Sequence, residues 1–223
     1  MTEVGHPSRR ASDVAYEEVR ARIVDLRLPP GAALNEAAIA AELGLGRMPV
    51  HEAVARLATE RFVTVIPRRG TTVAVLQLAD VLAMFEAREA VECGVAHIAA
   101  RRATDAGIAV LGGLISRADR AREGHEHVHY LREDHEVHAH LLHIVRNSLL
   151  QDAGDRLLLH NLRFWRSFWA THPAARHTMV SHSELLAALI DRDPERAEAA
   201  MREHLAASRR LLQESFTGRA PDS

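Results

Sequence analysis

The chain has no lysine and a single cysteine, Cys93, among its 223 residues. One cysteine excludes an intrachain disulfide, and with it a cross-linked secreted scaffold. Without lysine, all 28 basic residues are arginine, a bias of composition that carries no functional meaning by itself. No apolar run approaches the roughly twenty residues of a membrane-spanning helix. The first residues, MTEVGHPSRRASD, lack the apolar stretch of a secretory signal. These absences point to a cytoplasmic protein with no membrane partner. An excess of positive charge is missing too: the formal net charge is −2, and residues 1–77 hold ten arginines against nine acids. Any nucleic-acid contact must therefore come from the placement of a few arginines.

What is present is periodicity. A chain of this length allows one large domain or two smaller ones. Residues 1–10 and 216–223 read as flexible tails. Val14, Val19, Ile23 and Leu26 recur at helical spacing, which predicts a helix over Ser12–Leu26, ended by Pro29, Pro30 and Gly31. Asn35 is an N-cap for a second helix through Leu43. Gly44, Leu45 and Gly46 make a tight connection to a third, from about Arg47 to Glu60. The period then changes. Phe62–Ile66 and Thr71–Val75 are β-branched runs around Pro67-Arg68-Arg69-Gly70, a hairpin signature in which Gly70 supplies the freedom of the turn. Three helices and a hairpin predict a winged helix-turn-helix over residues 11–77.

From Leu78 onward no strand is predicted. Helices are expected at Asp80–Arg102, Asp105–Glu123, Leu131–Val145, Leu149–Trp169, Thr178–Arg192 and Pro194–Gln213, with Pro173 breaking the pattern after Trp169. Thr104 and Asp193 are caps, and Pro194 suits a first helical turn. The expectation is a mainly α protein whose residues 78–215 form an all-helical antiparallel bundle. No internal repeat is visible.

In a helix-turn-helix the second helix enters the major groove with its N-terminal side chains at base edges. Arg47 projects from that first turn, where a guanidinium pairs bidentately with guanine. His51 follows one turn later on the same face. Val50, Val54 and Leu57 point the other way and are expected to pack on Leu34, Ile39 and Leu43. Arg68, Arg69 and Gly70 at the hairpin tip either reach the minor groove and phosphates or simply solvate a turn.

Seven histidines lie between His125 and His143. Those at 125–129 read as a loop feature, and His135, His140 and His143 face away from the others of interest. Asp134 and His138 stand one helical turn apart, a half-site for a divalent metal. His182 and His204 sit among core-facing residues of two further helices. A lone histidine in such a place is usually a satisfied core residue. Four ligand-type residues on three helices of one bundle shift that balance toward a metal.

Residues 28–75 resemble the N-terminal domain of the GntR superfamily of transcription regulators. The matching positions are Leu28, Pro30, Gly31, Leu34, Glu36, Ala40, Leu43, Gly44, Arg47, Pro49, Val50, Glu52, Ala53, Arg56, Leu57, Glu60, Val63, Pro67, Arg69 and Gly70. The resemblance implies operator DNA as partner, with Arg47, Met48, His51, Arg56, Arg68, Arg69 and Gly70 as the contacting residues. Three departures stand out. Gly46 replaces a Ser or Thr, His51 replaces an Arg, and Arg61-Phe62 replaces Gly-Leu. An altered or weaker operator preference follows, sensitive to His51 protonation.

Residues 78–213 resemble the FCD ligand-binding domain of the FadR subgroup of that superfamily. The marks are Arg88 with Glu92; Asp134, His138 and Asn147; His182 with Ala188; and Met201, His204 and Leu205. Ser181 and Val137 are minor departures from its pattern. The resemblance implies a homodimer, and a divalent ion (zinc, nickel or manganese) held by Asp134, His138, His182 and His204. It also implies a small carboxylate effector near Arg88 and Asn147. Arg88 is either that counter-charge or an ion-pair partner of Glu92, and Trp165 and Trp169 either pack the bundle or line the pocket. The expected function is a metabolite-responsive, sequence-specific transcription repressor, not an enzyme. A metal-dependent helical-bundle enzyme and a regulator with a purely structural bundle are the alternatives.

Overall fold

The computed structural model describes residues 10–172 and 179–217. The predicted tails (all but Arg10, Phe216 and Thr217), Pro173 and Thr178 lie outside the described residues. The chain divides into two compact units, with the boundary between Leu76 and Gln77.

The first unit contains α1 (Ala11–Val24), β1 (Ala33–Leu34), α2 (Glu36–Leu43), α3 (Arg47–Thr59), β2 (Val63–Ile66) and β3 (Gly70–Val73). Asn35 caps α2 by accepting from the Ala38 N–H at 3.0 Å, and Gly44 ends it in the left-handed region at φ 65°. Ala15, Val19, Ile23, Val50, Ala53, Val54, Leu57 and Phe62 are buried. The wing departs from a plain hairpin. β1 adds a third strand, antiparallel to β3, in the order β1-β3-β2. Gly31 leads into β1 at φ 82°, and its N–H reaches the Val73 carbonyl at 2.9 Å. At the tip the Arg69 N–H closes a turn on the Ile66 carbonyl at 3.0 Å. Arg68 therefore occupies the turn's third position, at φ 63°.

The second unit is helical among the described residues. It contains α4 (Leu78–Arg102), α5 (Asp105–Glu123), α6 (His127–Val145), α7 (Ser148–Thr171), α8 (Ser183–Ile190) and α9 (Pro194–Thr217). Thr104 caps α5 by accepting from Gly107 N–H at 3.1 Å. Asp193 accepts from the Arg196 N–H at 3.0 Å, with Pro194 as the first residue of α9. α4 packs along α9, α5 along α6, and α6 along α7. Leu111, Val137, Leu141, Leu142, Leu158, Leu185, Leu189 and Met201 form one continuous core. Two expectations need correction. α6 begins at His127 rather than Leu131, so His127 and His129 are helical and only His125 lies in the joint. α8 begins at Ser183, which leaves His182 at its N-cap rather than inside a helix.

Candidate functional site

Asp134 and His138 project one turn apart from α6, His182 stands at the start of α8, and His204 projects from α9. All four are buried, and one donor atom from each lies within 4.8 Å of the others. The His138 and His182 Nε2 atoms are 3.1 Å apart. Asp134 Oδ1 is 3.6 Å from His182 Nε2 and 3.9 Å from His138 Nε2. The His182 and His204 rings lie with centroids 3.9 Å apart. The sequence expectation named these four, and the fold brings them together.

Neighbouring residues orient the donors. Glu92 contacts His138 Nδ1 and is itself gripped by Arg88 Nε at 2.6 Å. That arrangement assigns the His138 proton to Nδ1 and leaves the Nε2 lone pair facing the cluster. Burial alone would raise the Glu92 pKa, but the Arg88 charge and the hydrogen bonds from His138 and Arg88 outweigh it and hold the carboxyl ionised, well below its usual range. Tyr130 donates to the Val180 carbonyl at 2.9 Å and accepts the Val180 N–H at 3.1 Å, with Asp134 Oδ1 at 3.3 Å. It thereby fastens the segment carrying His182 to α6.

Burial, then the neighbouring His204, His138 and Arg88, pushes His182 well below the ordinary imidazole range. Burial, followed by His138 and Arg88, drives His204 down to about 3. Both rings are therefore neutral near pH 7. His204 Nδ1 is buried without a hydrogen-bond partner. Lone pairs converging on one point, beside a carboxylate, fit a divalent cation better than they fit one another.

Beside the cluster lies a small cavity of about 10 Å³, walled by Arg88, Tyr130, Asn161, Trp165, Trp169 and His204 among others. Arg88 pairs with Glu92, as one of the two alternatives had it, and also forms part of this wall. The tryptophans likewise both pack and line. Asn147 does not reach the cavity: its Oδ1 caps α7, accepting from Leu149 and Leu150 N–H at 3.1 and 3.3 Å. Asn161, which the sequence reading did not single out, lines the cavity instead. The signal was available, because Asn161, Trp165 and Trp169 recur every fourth residue along one face of α7. A groove of about 450 Å³ between α8 and α9 also reaches His182 and His204.

In the first unit Arg47 opens α3, Met48 is 66% exposed, and Arg68, Arg69 and Gly70 are exposed at the wing tip. None of these three arginines forms an ion pair among the described residues. Arg56 differs. It binds Asp13 at 2.7 Å and stacks over the Tyr16 ring at 3.9 Å, which engages its guanidinium in joining α3 to α1. Its expected contact with DNA would have to form alongside this pairing. His51 Nδ1 lies 3.1 Å from Glu36 Oε2.

A three-helix unit with a β wing, joined to a helical unit with a buried donor cluster, defines the class of two-part bacterial transcription regulators. Residues 11–73 match the bacterial regulatory proteins of the gntR family, and residues 83–207 match the FCD domain. The Nta operon transcriptional regulator of Aminobacter aminovorans is 30% identical over 82% of this chain and 85% of its own. The HTH-type transcriptional repressor RspR of Escherichia coli is 27% identical over 90% of this chain and 88% of its own. The structure of E. coli McbR/YncC superposes with a TM-score of 0.76 at 19% identity, covering 94% of this chain and all of that one, a likeness of fold. The chain belongs to the gntR family of transcription regulators, with an FCD domain as its second unit. Its relatives are regulators rather than enzymes.

Proposed function

We propose that the chain is a cytoplasmic, homodimeric repressor whose helical unit senses a small carboxylate at a divalent metal. One observation carries the reading: four buried donors converge beside a cavity walled by Arg88 and Asn161. Asp134, His138, His182 and His204 would hold the ion, which when bound supplies a Lewis-acidic position for a carboxylate oxygen. Arg88 adds positive charge to the same wall, and the groove between α8 and α9 provides a route in. The repressor assignment follows RspR, which is named as one.

On the DNA side, Arg47, Met48 and His51 would face the major groove, with Arg68, Arg69 and Gly70 at the adjacent backbone or minor groove. Arg47, Arg68 and Arg69 form no ion pair among the described residues, which leaves their charge available for phosphates or bases. Regulation requires the effector to bind the DNA-competent and incompetent arrangements unequally, since equal binding would shift nothing.

Metal analysis of the purified protein tests the centre. Wild type is expected to retain close to one equivalent of divalent metal, and Asp134→Ala and His182→Ala to lose most of it. Unchanged metal content in both variants would remove the site. Mobility shifts with duplexes from the gene's own promoter region, at low salt and with a panel of carboxylates, test the regulator. No retardation under any of these conditions would overturn the DNA assignment.

A further inference from the structure

We propose that His51, its proton held on Nδ1 by Glu36, reads the exocyclic amine of an adenine or cytosine in the major groove, an inference that stands on the DNA reading above. Nδ1 lies 3.1 Å from Glu36 Oε2. An ionised carboxylate only accepts hydrogen bonds, so the neutral ring must carry its proton on Nδ1. Nε2 then keeps its lone pair. The His51 side chain is 66% exposed against 31% for Glu36, so the ring is anchored at one nitrogen and open at the other.

The two helices fix where that lone pair stands. Asn35 caps α2 and leaves Glu36 as its first residue. Val50, Val54 and Leu57 are buried on one side of α3, while Arg47, Met48, His51 and Ala55 are exposed on the other. Arg47 and His51 are one turn apart on this exposed side. In the major groove adenine N6 and cytosine N4 donate hydrogen bonds, whereas guanine O6 and thymine O4 accept them. A lone pair at Nε2 suits the first two bases and repels the last two. An arginine at this position, with donors only, would select guanine instead. Glu36 thus acts as a positioning residue that makes the base-facing atom of His51 an acceptor.

Selection from a pool of duplexes randomised over about two helical turns tests the inference. It uses the full-length protein at low salt and pH 8, where an ordinary imidazole is neutral. Wild type is expected to prefer adenine or cytosine over guanine and thymine at one position of each half-site. Single duplexes compared at that position should differ about two- to tenfold in affinity, the scale of one neutral hydrogen bond. His51→Arg should move the same position to guanine, and His51→Ala should lose the preference there while other positions keep theirs. In Glu36→Gln the amide donates as well as accepts, which frees the ring to carry its proton on either nitrogen, so the preference should fall toward parity. Removing the Glu36 charge acts on every duplex alike, so the ratio between duplexes is read rather than the affinity. A ratio unchanged in Glu36→Gln, as a carboxylate that merely joins α2 to α3 would give, would overturn the inference and leave DNA binding standing. Identical base preferences in wild type and His51→Ala at every position would do the same, as would a wild-type preference for guanine where His51→Arg reads guanine. Retention of no duplex at all would overturn the inference and count against the DNA reading itself.

Discussion

Arg68 sits where the wing's tip turn places a left-handed backbone, at φ 63°. A side chain there costs about 1 kcal/mol relative to glycine, and strain of this kind is characteristic of positions kept for function. Arg68→Gly is therefore expected to raise stability by about 1 kcal/mol in urea denaturation while weakening operator binding and flattening its salt dependence. Stability gained with operator affinity unchanged would show that Arg68 only solvates the turn. Single residues were unevenly legible in the sequence. The exposed placement of Arg47 at a helix start and of the wing arginines at a hairpin tip was readable from the change of period around them. The pairing of Arg56 was not legible because Asp13 and Tyr16, which engage it, are distant in sequence. The cap role of Asn147 was not read from the sequence because a helix cap and a ligand-binding amide are the same residue type.

At the scale of elements, helix type and order followed from apolar spacing, while the ends did not. α6 reaches back to His127, but its first turn alternates histidine with an exposed Val128, so no apolar period marks it. β1 has two residues, too few to show any alternation. Packing between elements was not legible at all, and Gly154 shows why. A Cβ built at this α7 residue would stand 2.5 Å from the Leu142 side chain of α6, so the two helices meet at a distance only glycine permits. Gly154→Ala gains helix propensity but forces Leu142 out of place. The expected net loss is about 1–3 kcal/mol, measured as a lower denaturation midpoint at constant slope. An unchanged midpoint would mean that Leu142 has another rotamer open to it.

At the scale of the whole molecule, the donor cluster was legible because four ligand-type residues on three helices stood out, whereas the neutrality of its histidines appears only once burial is known. That neutrality sets an acid dependence. In the chelator-treated protein His182 and His204 have pKa values pushed below the ordinary 6.5, His204 to about 3, chiefly by burial. The unfolded chain takes up protons at these positions below about pH 6.5, where the folded chain does not, so their contribution is full above that pH and is lost as pH falls. His135, also lowered mainly by burial, acts in the same direction. Glu92 keeps its charge through this window because Arg88 and His138 hold its pKa far below 4.5. A fall in melting temperature between pH 7 and 5 therefore reports histidines rather than this carboxylate. The metal-free wild type should lose melting temperature steadily over that range, and a His182→Asn, His204→Gln double variant should lose distinctly less. With zinc added the wild-type curve should shift upward at pH 7 and converge on the metal-free curve toward pH 5, as protons compete for the donors. Parallel slopes in wild type and double variant would place the acid sensitivity elsewhere in the chain.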